Sequence, residues 1–420
     1  MRAMPSTQRR AIAGTRAALL LALVLALAGA GIRTLPRWDD VVEHGRVVVA
    51  DPDACYHLRR AERIARGVPH LAVRDPYINY PDGALVIWPP LYDVALAGAL
   101  TAFPENEAHD LDGDAGRVDR LPRGPHVAVG LLPPILFVLA ILVIFRMARR
   151  LWPARPILWA VAAGAPALLP STFNYTEIGR LDHHAAELLA LVVFLDTLVA
   201  AVGRLASASA TSGDSSIALQ ANADATREAP LASTMARAAL APALALVAAL
   251  STQLTLVLLV PVAAAVLLAA DARERTASFL FAILLFAGAA LLLLPLAIVY
   301  HAAGAPLAHH QFGLFQPALL LAAASAFVLL LGLAGLPARQ ARWPLQAALV
   351  APALVALVWL GVRLSPEIAG GAAYLFGRSW RWQATIGESQ SPFAMGAMRG
   401  AESLLAGLSA LVLVTPFALV

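Results

Sequence analysis

An all-α polytopic membrane protein is the fold class this sequence predicts, and three observations carry it. Of its 420 residues 60% are hydrophobic and only 14% are charged, whereas a soluble domain is nearer half apolar and a quarter charged. The mean hydropathy is +0.71. The apolar residues come in long Leu, Ala and Val runs rather than alternating, among them Ala17 to Ile32, Val127 to Phe145, Ala239 to Leu250 and Phe279 to Val299. Several are long enough as helices to cross a hydrocarbon core of roughly 30 Å. Helices are the expected form because lipid leaves open sheet edges unsatisfied.

Taken in order, the apolar runs and polar breaks give about ten spans. The first has basic residues before it but no small-residue cleavage site after it, so it reads as a retained anchor. Arginines cluster at the N-terminus (Arg2, Arg9, Arg10, Arg16) and at the breaks Arg146 to Arg155, Arg204 to Arg237, Asp271 to Arg275 and Arg339 to Arg342. The positive-inside rule makes these cytoplasmic. The outer segments are then a long first loop, 33–126, a short one around Phe173 to His184, a tight turn near Ser251, the stretch Tyr300 to Gln316, and a loop at 363–399. The fifth span, near Ala239, is the least regular, with Pro230 and Pro242 in it. Within the cytoplasmic loop 204–237, the polar stretch Ser207 to Glu228 has no apolar period and reads as a flexible, disordered connector.

The charge balance narrows the partners. The net charge of +4 and pI near 9.6 come from inner-face arginines, which suit a lipid bilayer with anionic headgroups and not nucleic acid. Cys55 is the single cysteine, so no internal disulfide is possible.

Candidate chemistry falls in three outer loops. The first reads Asp51, Pro52, Asp53, Ala54, Cys55, Tyr56, His57, Leu58, Arg59, Arg60 ahead of a helix-like run. A carboxylate there serves equally as a helix cap or as a ligand. The second reads Asp182, His183, His184 and leads straight into apolar sequence. Ionisable groups beside a span are costly unless used. Oxygen and imidazole donors two residues apart suit a divalent ion such as Mn²⁺ or Mg²⁺. The third holds Thr385, Ile386, Gly387 and Glu388, after Arg378, Ser379, Trp380, Arg381 and Trp382. Asp110, Asp112 and Asp114 lack the glycine and glutamate of a calcium loop. His309 and His310 have no carboxylate near them in sequence, which favours a structural role.

Taken together, the three loops resemble the catalytic subunit of oligosaccharyltransferases, membrane enzymes that move a glycan from a polyprenyl carrier to asparagine. Asp51, Asp53, Tyr56 and His57 match that family's first-loop stretch. Asp182 and His184 match its Asp-x-His, and Thr385 to Glu388 its Thr-Ile-x-Glu. The resemblance implies a GT-C-type transmembrane domain over 1–420, with short amphipathic helices in the first loop. It implies a divalent metal, Mn²⁺ or Mg²⁺, held by Asp53, Asp182, His184 and Glu388, with Asp53 and Glu388 also catalytic through the acceptor amide. His183, Arg378 and Arg381 would bind the phosphates of a polyprenyl-linked glycan donor.

Nothing in the sequence resembles the Trp-Trp-Asp-Tyr-Gly motif of the family's soluble C-terminal domain. The expectation is therefore an N-terminal transmembrane portion, with acceptor recognition supplied by a domain absent from this chain or by a partner subunit. The leading function is transfer to an acceptor polypeptide at the outer face of a plasma membrane, with the N-terminus cytoplasmic. A GT-C transferase acting on a lipid or polymer is the alternative within enzymes. A transporter or scaffold is the alternative outside them, although transporters place such groups near the midplane and not at loop edges.

Overall fold

The computed structural model describes residues 6–49, 51–67, 73–75, 78, 82–103, 125–168, 172, 175–214, 224–269, 275–308, 311–335 and 351–364. They form two compact units. The first takes the chain up to Ala72 and from Pro90 to Val192; the second takes Val73–Pro89 and continues from Val193.

The first unit opens with α1 (Ser6–Thr34). A two-stranded hairpin follows, β1 (Val42–Glu43) against β2 (Arg46–Val47). Its turn residues His44 and Gly45 both have positive φ, 51° and 78°, as the twist of a tight hairpin requires. Then come α2 (Pro52–Ala65), α3 (Leu91–Ala102), α4 (Leu132–Leu151), α5 (Pro156–Leu168) and the start of α6 (His184–Asp214).

Helices α1, α4 and α5 pack through residues four apart. Ala18, Ala22 and Ala26 of α1 meet Phe137, Ile141 and Phe145 of α4 and Trp159, Ala163 and Ala167 of α5. Small residues opposite large ones let the backbones approach, which is how helices associate where lipid removes the hydrophobic drive. A Cβ on Gly29 would lie 2.9 Å from Phe137, and one on Gly164 would lie 2.9 Å from Leu25. The other side of α1 carries exposed Leu20, Val24 and Leu27, a lipid-facing surface.

In the second unit β3 (Arg74–Asp75) pairs with β4 (Ala84–Leu85). Its helices are α7 (Asp224–Leu250), α8 (Leu259–Leu268), α9 (Arg275–Ala302), α10 (Phe315–Gly335) and α11 (Ala351–Leu364). Helix α9 lies between α7 and α10. Phe327 of α10 packs edge-on to Phe279 and tilted to Phe286 of α9, at 5.6 and 5.9 Å between ring centroids.

Five helical segments of the described residues are long and apolar enough to cross a membrane by length and composition, and five shorter apolar helices accompany them. The fold is thus all-α and polytopic. One local expectation needs correction. The segment read as a flexible connector is helical to Asp214 and again from Asp224, because Ala-rich sequence extends a helix already nucleated by its apolar half. Helix α7 runs unbroken through positions 230 and 242, so the two prolines do not divide it.

Candidate metal centre

The amphipathic helix α2 and the apolar helix α3 make one wall. Asp51 caps α2, its carboxylate accepting the Asp53 N–H at 3.0 Å, and Pro52 stands at the first helical position, where a missing N–H costs nothing. The helix buries Ala54, His57, Arg60 and Ala61 against Tyr92, Leu96 and Ala97 of α3. A histidine and an arginine are tolerated on this face because Asp93 of α3 meets both. His57 Nδ1 lies 2.6 Å from Asp93 Oδ1, and Arg60 Nη1 lies 2.6 Å from Asp93 Oδ2. Buried charges persist when paired at such geometry.

The loop before α6 makes the other wall. Gly179 adopts φ +79°, a left-handed turn that glycine enters without steric cost. Its N–H donates to the Gly130 carbonyl at 2.9 Å, and the Ile178 N–H donates to the Arg33 carbonyl at 3.2 Å. Leu181 then enters the apolar cluster between α2 and α3. Arg180 Nη2 reaches Asp51 Oδ2 at 2.9 Å, joining this loop to the N-terminus of α2.

Asp182 is thereby held, fully buried, just ahead of α6. Its Oδ1 accepts the His183 backbone N–H at 2.6 Å, with His183 Nδ1 also at 2.6 Å and His57 Nε2 at 3.5 Å. Its Oδ2 faces His184 Nε2 at 3.2 Å. His57 Nε2 and His183 Nδ1 are 3.1 Å apart, and His184 Nδ1 is 3.2 Å from Glu187 Oε2. Burial pushes the Asp182 carboxyl up, but the His183 hydrogen bond and the neighbouring imidazoles of His183, His184 and His57 hold it well below the usual carboxylate range. Burial, then Asp182 and Asp93, raise the Tyr92 phenol well above its ordinary value, keeping it neutral.

Among the described residues, His57, Asp182 and His183 bring one ligand atom each within 4.8 Å of one another, as do His183, His184 and Glu187. A carboxylate flanked by imidazole nitrogens is a donor set for a divalent cation. Bonds of roughly 2.0–2.2 Å set neighbouring donors somewhat over 3 Å apart, which is the spacing Asp182 shows to His57 and His184. A cavity of about 210 Å³, lined by Thr172, Tyr175, Thr176, His184, Glu187 and Leu191, opens onto one side of this cluster.

The structure brings together three residues named from the sequence, Asp182, His183 and His184. Asp53 sits in the first turn of α2, half-buried, in neither compact donor group. Glu388, Arg378 and Arg381 lie outside the described residues, as do His309 and His310. Sequence reasoning left out Arg60, Asp93 and Glu187, and it used His57 only as a motif position. A signal existed for two of them, since His57 and Arg60 share the α2 face that carries Asp53. None existed for Asp93, which reads as an ordinary first-turn acid.

No protein-family model matches the chain. It is 31% identical over 150 residues to the dolichyl-phosphooligosaccharide-protein glycotransferase 1 of Archaeoglobus fulgidus, covering 35% of this chain and 21% of that protein. Its fold is similar to solved structures of the Archaeoglobus fulgidus oligosaccharyltransferase. The structure with an inhibitory peptide and a dolichol-phosphate matches with a TM-score of 0.64 at 19% identity, over 88% of this chain and 40% of that one. The apo form matches at 0.57 and 20% identity, over 93% and 39%. The complex with Zn and sulfate matches at 0.57 and 18% identity, over 95% and 52%. The chain spans about a fifth of the curated relative and roughly half or less of these solved chains.

Proposed function

We propose that the protein is a metal-dependent glycosyltransferase of the oligosaccharyltransferase type, moving a glycan from a polyprenyl-(pyro)phosphate carrier to asparagine of an acceptor polypeptide. The observation that carries this reading is Asp182 Oδ2 facing His184 Nε2 at 3.2 Å at the start of a membrane-crossing helix. The similarity to a glycotransferase and the shared fold support it. The N-terminus is cytoplasmic and the site lies on the outer face of a plasma membrane, in keeping with the arginine-rich inner breaks.

In this proposal Asp182 and His184 would hold the cation, with Asp53 and Glu388 completing the set. Bound Mn²⁺ or Mg²⁺ would offset negative charge developing on the departing lipid phosphate. Asp53 and Glu388 accept hydrogen bonds from the acceptor amide. That need is physical, because an amide nitrogen is a poor nucleophile while its lone pair is delocalised, and carboxylates aimed at its N–H groups polarise it. His183, Arg378 and Arg381 would bind the carrier phosphates, the arginines through bidentate forks.

The test is transfer from a lipid-linked glycan to an acceptor peptide in membranes carrying Glu388→Gln or Asp182→Asn. Both variants are expected to insert normally and lose transfer. Full activity in either would remove that residue from the site.

A further inference from the structure

Two carboxylates outside the proposed ligand set each grip one imidazole of this cluster. Asp93 Oδ1 lies 2.6 Å from His57 Nδ1, and Glu187 Oε2 lies 3.2 Å from His184 Nδ1. An ionised carboxylate only accepts, so the ring nitrogen facing it carries the proton. When a cation takes the place between Asp182 and the rings, each ring binds as a neutral imidazole, and the carboxylate holds the proton on Nδ1 so that Nε2 presents the lone pair. Both of these lone pairs are turned to Asp182, His57 Nε2 at 3.5 Å from Oδ1 and His184 Nε2 at 3.2 Å from Oδ2. A carboxylate oxygen thus opposes a ring lone pair on each side, and a positive charge between them stabilises both pairs. His183 obeys the same proton order. Its Nδ1 stands 3.1 Å from His57 Nε2 and 2.6 Å from Asp182 Oδ1, a donor between two acceptors.

Granted that Asp182 and His184 hold the cation, we propose that Asp93 and Glu187 are positioning residues. They fix the Nδ1–H tautomers of His57 and His184, aim both Nε2 atoms at Asp182, and so bring His57 into the donor set. Carboxylates that accept from a ligand imidazole set its tautomer and raise its basicity. The two differ in setting. Asp93 is buried and locked by Arg60 Nη1 at 2.6 Å, whereas Glu187 is half-buried and lines the cavity.

The experiment is a Mn²⁺ titration of thermal protection on the purified protein, which reads cation binding without any transfer reaction. Glu187→Gln is expected to leave the metal-free melting temperature unchanged and to raise the half-protecting Mn²⁺ concentration about 10–100-fold. Asp93→Asn is expected to raise that concentration by a similar factor while also lowering the metal-free melting temperature, because the buried Arg60 loses the carboxylate charge that faces it. If Asp93 acts through His57, adding Asp93→Asn to His57→Gln weakens Mn²⁺ protection no further than His57→Gln alone. Wild-type Mn²⁺ dependence in Glu187→Gln and Asp93→Asn, or a fully additive double variant, would overturn the positioning role while leaving the cation site intact. A wild type that Mn²⁺, Mg²⁺ and Zn²⁺ all fail to protect, and that behaves like Asp182→Asn, would overturn the cation reading and this inference with it.

Discussion

Arg33 Nε donates to Thr176 Oγ1 at 2.6 Å, joining the first membrane helix to the loop that precedes Asp182. Its other N–H groups reach the carbonyls of Gly29, Ala167 and Pro166 and the Thr172 hydroxyl. The Phe137 ring lies 3.9 Å from the guanidinium carbon. A cation in a membrane helix is costly unless satisfied in this way, so its presence marks a fixed joint. Arg33→Met leaves buried acceptors without a donor, and a loss of about 2–3 kcal/mol is expected. Arg33→Lys keeps the charge without the fork and is expected to fall between the two. Thermal unfolding in detergent reads the order, and an Arg33→Met melting temperature equal to wild type would dismiss the joint.

Gly179 has φ +79°, and a Cβ there would lie 2.7 Å from Val41 Cγ1 and 2.8 Å from Val47 Cγ1. Gly179→Ala therefore combines left-handed strain with a clash against the hairpin. A cost of about 1–3 kcal/mol is expected, with reduced transfer because the same turn delivers Asp182. Equal melting curves for the two proteins would refute the strain.

Asp182 titrates lower in the folded chain than in the unfolded one. A depressed carboxylate contributes stability that is fully present above its unfolded value, about 3.9, and is lost as pH falls through the folded one. In chelator-treated buffer the melting-temperature advantage of wild type over Asp182→Asn is expected above about pH 5 and should shrink below about pH 4. An advantage that grows toward acid would reverse the sign and contradict the ion-paired setting.

Removal of metal is informative in the same assay. Mn²⁺ at a hundredfold excess over its dissociation constant stabilises a folded protein by about 2.7 kcal/mol. Wild type is expected to gain heat resistance, and an Asp53→Ala, Asp182→Ala double variant to gain none. Equal protection of both would count against shared coordination by these two carboxylates.

The parts legible in the sequence are those that depend on local pattern. Asp51 and Pro52 announce the start of α2, and the capping role of Asp51 is what the structure shows. Asp182 and His184 lie two residues apart in a turn, so their meeting needs no distant partner. The helical continuation to Asp214 was hidden, because a polar Ser and Ala stretch says little about whether a neighbouring apolar helix will carry it along. Asp93 was hidden for another reason: it reaches His57 from 36 positions away, and nothing near either residue encodes that meeting.

By itself the sequence determined that this chain lives in a membrane as helices, since hydropathy acts on each segment separately and lipid admits few other solutions. It also determined which loops carry ionisable groups. Only the tertiary structure decided the order in which side chains stand around Asp182. That order comes from Asp93 and Arg60 packed on facing helices and from the Gly179 turn against the hairpin. Hydrogen bonds have direction, and direction exists only once separate elements are fixed relative to each other.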